Sequence, residues 1–176
     1  MTNFQRVSAM NTAFGNPKGD PTNIDWQRVR KQCLNLPDEL GELFIALGAE
    51  PVGVKQAVFA LKAAASNIVN YVDVPGVRDG LGDIHVFGYG ANHMMGIDAD
   101  RDMEAIVDGV MTRFIKDADD KQATIARHAA KGVTDVYFEG EFPTMVMKSS
   151  RDQPDAPKGK FLKSASYIDT VFPAIS

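Results

Sequence analysis

Apolar residues recur along most of this chain at helical spacing. Phe4, Val7, Met10 and Phe14 mark a first stripe that stops at Gly15, which predicts an amphipathic helix over 3–14. GNPKGDPTN (15–23) is a loop by composition. Trp26, Val29, Cys33 and Leu36 predict a second helix, interrupted by Pro37. Leu40, Leu43, Phe44 and Leu47 then fall at i, i+3, i+4 and i+7, with Gly48 as a stop signal. The longest stripe, over 51–72, is Val54, Val58, Leu61, Ala65, Ile68 and Val72, and DVPGV (73–77) breaks it. Leu81, Ile84, Phe87, Ala91 and Met94 keep a helical face despite Gly80, Gly82, Gly88 and Gly90. Each internal glycine costs a helix up to about 1 kcal/mol relative to alanine. Small residues there imply close packing against a neighbouring helix or a ligand. DADRD (98–102) caps a helix whose face is Met103, Ile106, Val107, Val110, Met111 and Phe114, and a short helix over 120–131 ends at Gly132.

The period then changes. DVYFEGEFPTMVMKS (135–149) alternates polar and apolar residues around EGEFP, which predicts a β-hairpin or an extended flap. Residues 151–176, rich in Pro, Ser and Lys, read as an irregular tail that docks through Phe161, Leu162, Tyr167, Ile168, Val171 and Phe172. The expected fold class is all-α: a helical bundle over 1–132, with the hairpin and tail of 133–176 packed on the same single domain.

Composition narrows the function. At 176 residues, with 44% hydrophobic and 24% charged content, the chain is an ordinary soluble domain. A formal charge of −4 argues against broad phosphate neutralisation on nucleic acid. The single Cys33 excludes an internal disulfide and a cysteine-built zinc site. No stretch approaches the roughly 18 apolar residues of a membrane span, and MTNFQRVSAMNTAFG lacks the pattern of a signal peptide. A cytoplasmic protein is expected, with no membrane and no nucleic-acid partner.

The chemistry lies in the acids. Glu39 and Glu42 are three apart in LPDELGEL, and Asp79 and Asp83 are four apart in a later segment. On helices each pair projects from one side and borders the apolar stripe. Four carboxylates converging in a bundle repel one another unless a cation sits among them, and all-oxygen ligands select a hard ion, Mg²⁺ or Mn²⁺. The competing reading is structural: Pro37 suits a first helical turn, Asp38, Glu39 and Glu42 favour its positive end, and Asp79 and Asp83 form a solvated face. His85 and His93 follow the second pair in the same acidic segment, where packing is the commoner role, as it is for the methionines at 94, 95, 103 and 111. Asn67 and Asn70 either contact a base or sugar or cap the long helix. Trp26 is either a stacking platform or a buried bundle residue.

Several landmarks together resemble the all-α nucleoside triphosphate pyrophosphohydrolases, the MazG-like superfamily that includes phosphoribosyl-ATP pyrophosphohydrolase. DELGEL is similar to the family's Glu-x-x-Glu at Glu39 and Glu42. RDGLGDIHVFGYGANHMMGID is similar to its second acidic element, closest to the bacteriophage versions around Asp79 and Asp83. VDGVMTRFIKD resembles the Asn-Met-Ser-Lys-Phe segment, and GKFLKSASY the Gly-Lys-Val-Leu-Lys-Ser-Pro tail of the phage-type branch. Gly80 stands where many relatives have Glu, Val110 where they have Asn, Arg113 where they have Lys, and Pro37 in a helix that is usually unbroken.

The resemblance implies Mg²⁺-dependent cleavage of a nucleoside or deoxynucleoside triphosphate between its α and β phosphates, with dGTP in phage nucleotide-pool control as one specialised case. Glu39, Glu42, Asp79 and Asp83 would hold the metal, and Glu39 or Glu42 would orient or deprotonate the attacking water. Arg113, Lys116, Lys160 and Lys163 would meet the leaving pyrophosphate, or else are solvated surface cations. A homodimer or homotetramer would complete the pocket. The rival expectation is a catalytically inactive nucleotide- or protein-binding module on the same scaffold.

Overall fold

The computed structural model describes residues 1–67 and 71–174; Ile68 and Asn70 lie outside the described residues. Among those described, seven helices precede a small sheet: α1 (Asn3–Ala13), α2 (Trp26–Cys33), α3 (Leu36–Ala46), α4 (Pro51–Ala65), α5 (Val74–Met95), α6 (Ala99–Met111), α7 (Ala118–Ala129), then β1 (Val136–Glu139), β2 (Val146–Ser149) and β3 (Phe161–Leu162). Local chemistry explains the boundaries. Thr2 and Gln5 close a capping box on α1, and Asp25, Asp98 and Asp117 cap α2, α6 and α7 through their side chains. Gly48 and Gly132, at φ 95° and 79°, supply the left-handed backbone that follows α3 and α7. Helix α4 ends at Ala65, short of the expected 72, where the Ser66 hydroxyl donates to the Lys62 carbonyl at 2.8 Å.

By packing the chain divides into two compact units, residues 1–18 with 83–176, and residues 19–82; the division falls within α5. In the larger unit α1 packs on α6, and Asn3, Tyr89 and Asp100 join α1, α5 and α6 through one polar knot, with Asn3 Nδ2 to Asp100 Oδ1 at 2.6 Å and the Tyr89 hydroxyl to the same oxygen at 3.0 Å. The buried core lies lower in the sequence: Phe114, Ile115, Val133, Val146, Met147, Ala156 and Leu162. Ile115 and Met147 share one buried cluster. Phe14, Phe114 and Phe161 stack at 4.5–6.1 Å between centroids, tying the end of α1 to the sheet.

The expected hairpin is present: β1 and β2 pair antiparallel, Val136 opposite Ser149 and Glu139 opposite Val146. The tail departs from the expected irregular form. Phe161 and Leu162 add a third antiparallel strand against Lys148 and Met147, because Leu162 there enters the core at 4% exposure. Beyond it the tail crosses α6 at Gly109, where a Cβ would lie 2.7 Å from the Thr170 hydroxyl.

In the smaller unit α3 packs on α4, on a face different from the one expected. Pro37, Gly41 and Ile45, at i, i+4 and i+8, turn inward, and the Gly41 position stands against Val54 and Val58. Leu40, Leu43, Phe44 and Leu47 are exposed, as are Leu81, Ile84, Phe87 and Met94 on α5. Both stripes are real helix faces without an intrachain cover among the described residues.

Candidate functional site

Helix α3 begins at Leu36 with Pro37 in its first turn. The proline fits because its missing N–H falls where a helix has unpaired donors, so it does not break the approach to Glu39. The acids of this turn separate by their partners. Asp38 forms an ion pair with Lys62 of α4 and so belongs to the helix pair. Glu39 and Glu42 are exposed, and neither forms an ion pair among the described residues. Asp79 and Asp83 stand one turn apart on α5, exposed and likewise without an ion pair among the described residues.

Among the described residues no three His, Cys, Asp or Glu side chains gather closely enough to hold a metal. The structure thus presents two helix-borne acid pairs, Glu39 and Glu42 on α3 and Asp79 and Asp83 on α5. Their donor set, four free carboxylates, is the right chemistry for a hard divalent ion. His85 and His93 are exposed on α5.

Glu42 is also part of a concave surface. Between α3 and α4 runs a groove of about 540 Å³ lined by Asp38, Gly41, Glu42, Ile45, Val54, Lys55, Val58, Phe59, Lys62, Ala63 and Ser66. Its floor is apolar, Lys55 and Lys62 add positive charge, and Glu42 adds a carboxylate. Its size is that of a small-molecule site. The expected substrate contact Asn67 follows Ser66 directly, and its backbone N–H donates to the Ala64 carbonyl at 3.1 Å. Lys55, Phe59, Lys62 and Ser66 escaped the sequence reading. The stripe Val54, Val58, Lys62, with period four, was the available signal for the groove wall.

The four expected cations fare differently. Lys160 is engaged, its Nζ donating to the Asp155 carbonyl at 2.6 Å. Lys116 is exposed, and its backbone N–H donates to Asp120. Arg113 and Lys163 both lie over the ring of Tyr167, a residue that the sequence marked only for docking.

Elsewhere carboxylates are spent on structure. Glu50 caps α4 by accepting from Gly53 N at 2.6 Å and Val52 N at 2.8 Å, and these bonds hold it below its ordinary value. Asp135 is lowered by its bonds from Arg151, and Asp20 by those from Thr22. No helix among the described residues is long and apolar enough to cross a membrane. No protein-family model, curated protein or solved structure matches the chain.

Proposed function

We propose that this chain is a Mg²⁺-dependent nucleoside triphosphate pyrophosphohydrolase, acting in the cytoplasm (a host's, if the chain is of phage origin) on an NTP or dNTP. The observation that carries the reading is Glu42: it sits beside Glu39 on α3, unpaired, and lines a groove of nucleotide-compatible size with Lys55 and Lys62. The ordered landmarks shared with the MazG-like enzymes supply the reaction. A hard divalent ion held by Glu39, Glu42, Asp79 and Asp83 supplies charge neutralisation at phosphate and acidity at water. The remaining roles fall to the chain. Glu39 or Glu42 orients the water, Phe59 and the apolar floor take the base, and Asn67 meets the sugar. Lys55, Lys62 and the cations Arg113, Lys116, Lys160 and Lys163 neutralise the phosphates.

Assembly belongs to the same proposal. The exposed stripes of α3 and α5 are covered by further copies in a homodimer or homotetramer, which also draws acid pairs together. The test is pyrophosphate release from a panel of NTPs and dNTPs with Mg²⁺. Wild type is expected to turn over at least one of them, and Glu42→Ala to lose more than about a hundredfold in rate. Turnover of none of them would exclude the enzyme, and undiminished turnover in Glu42→Ala would exclude the site. A second reading, an inactive nucleotide- or protein-binding module, is favoured by Gly80 and Val110. It expects nucleotide binding without pyrophosphate release.

A further inference from the structure

Asp38 and Lys62 form an ion pair between α3 and α4, and both line the groove that runs between these helices. The groove offers an anion few hydrogen-bond donors. Of the side chains that line it, only those of Lys55, Lys62 and Ser66 carry donor hydrogens. Ser66 already directs its hydroxyl to the Lys62 carbonyl at 2.8 Å, and Asp38 holds the Lys62 ammonium group. Lys55 forms no ion pair among the described residues. Asp38 and Glu42 balance Lys55 and Lys62, so the groove's side chains carry no net charge.

The Asp38–Lys62 pair is not what holds the two helices together. Asp38 keeps 47% of its side-chain surface in water and Lys62 37%, and an ion pair so exposed adds little to stability. The helices meet instead at Gly41, where a Cβ would lie 2.7 Å from Val58 Cγ2; Pro37 and Gly41 are the buried residues of α3. The pair can therefore open while α3 stays packed on α4. A phosphate approaching Lys62 finds its ammonium group already held by a carboxylate. It also meets that carboxylate as a like charge, which opposes its entry.

We propose that Asp38 is an internal competitor for anions in this groove. It occupies Lys62 while the groove is empty, and a phosphate group must displace it to reach that lysine. Asp38 thereby holds down the affinity of the groove for a free polyphosphate. This role is neither metal binding nor support of the first turn of α3. It rests on the reading of the groove as a phosphate-binding surface in the function proposed above.

The test is calorimetric titration of the full chain with inorganic tripolyphosphate in EDTA, for wild type, Asp38→Asn, Lys62→Met and the double variant. Asp38→Asn is expected to bind about fivefold tighter than wild type, the worth of one exposed ion pair that no longer opposes the ligand. The gain is expected to vanish in the Lys62→Met background, because the competition is for that lysine. Unchanged or weakened binding in Asp38→Asn overturns the proposal; weakening would show that the carboxylate merely positions Lys62. An equal gain in both backgrounds also overturns it, since the lost charge alone would then account for the effect. Circular dichroism checks that each variant is folded, and Asp38→Ser takes the place of Asp38→Asn if that variant is not. No binding by any of the folded chains removes the groove as a phosphate surface and the proposal with it. Pyrophosphate release from a nucleotide with Mg²⁺, with no Asp38 effect in EDTA, sinks the competitor alone. An Asp38 effect without such turnover supports the competitor and sinks the enzyme.

Discussion

Gly41 sets how near α3 comes to α4. A Cβ at this position would lie 2.7 Å from Val58 Cγ2, and a β-branched neighbour on a helix has little rotamer freedom to yield. Gly41→Leu is expected to destabilise the chain by about 1–3 kcal/mol, read as a lower urea midpoint at unchanged slope. Glu50 acts through charge instead. Its bonds from Gly53 and Val52 depress its folded value below the ordinary 4.5. A carboxyl shifted in this direction contributes stability that is fully present above the unfolded value and is lost as pH falls through the folded one. Helix content followed by circular dichroism during an acid titration should therefore drop below about pH 4.5, and less steeply in Glu50→Gln. Asp38 shows why neighbours in sequence need not share a role: Lys62 claims it and leaves Glu39 and Glu42 free.

Among the elements, β2 is the one the larger unit is built around. It pairs with β1 on one edge and β3 on the other, and Met147 on it is fully buried. Truncation by Met147→Ala should cost about 2–5 kcal/mol in chemical denaturation, the range for buried large-to-small changes. The clamp between α7 and the tail is polar rather than apolar. Thr124 accepts from Ala165 N at 2.8 Å while donating to the Asp120 carbonyl at 2.7 Å. Thr124→Val keeps the volume and removes both bonds, leaving a buried amide unpaired, for about 1–3 kcal/mol. Amide exchange at Ala165 should accelerate in the same variant. The alternating strands of the hairpin were legible in sequence because period two is a local property. The third strand was not, since two residues, Phe161 and Leu162, carry no periodicity and pair only because β2 offers them an edge.

At the scale of the molecule the exposed stripes decide what to measure. Leu43, Phe44 and Leu47 on α3 are 51%, 52% and 71% exposed, and Phe87 on α5 is 76% exposed. Helices with such faces are ordinarily covered. Sedimentation should give a mass above the 19.2 kDa of one chain, reduced towards it by Leu43→Glu with Phe44→Lys; a monomeric wild type would refute association through these faces. By itself the sequence determined the helices, their caps, the hairpin and the helical placement of Glu39, Glu42, Asp79 and Asp83, because caps, periodicity and i, i+3 or i, i+4 spacing act within a few residues of chain. Tertiary structure alone decided which face of α3 meets α4, that Asp38 is taken by Lys62, that Glu42 borders a groove, and that Arg113 and Lys163 share the ring of Tyr167. Those pairings join residues tens of positions apart, and only packing, which sums many weak contacts over the whole fold, selects among them.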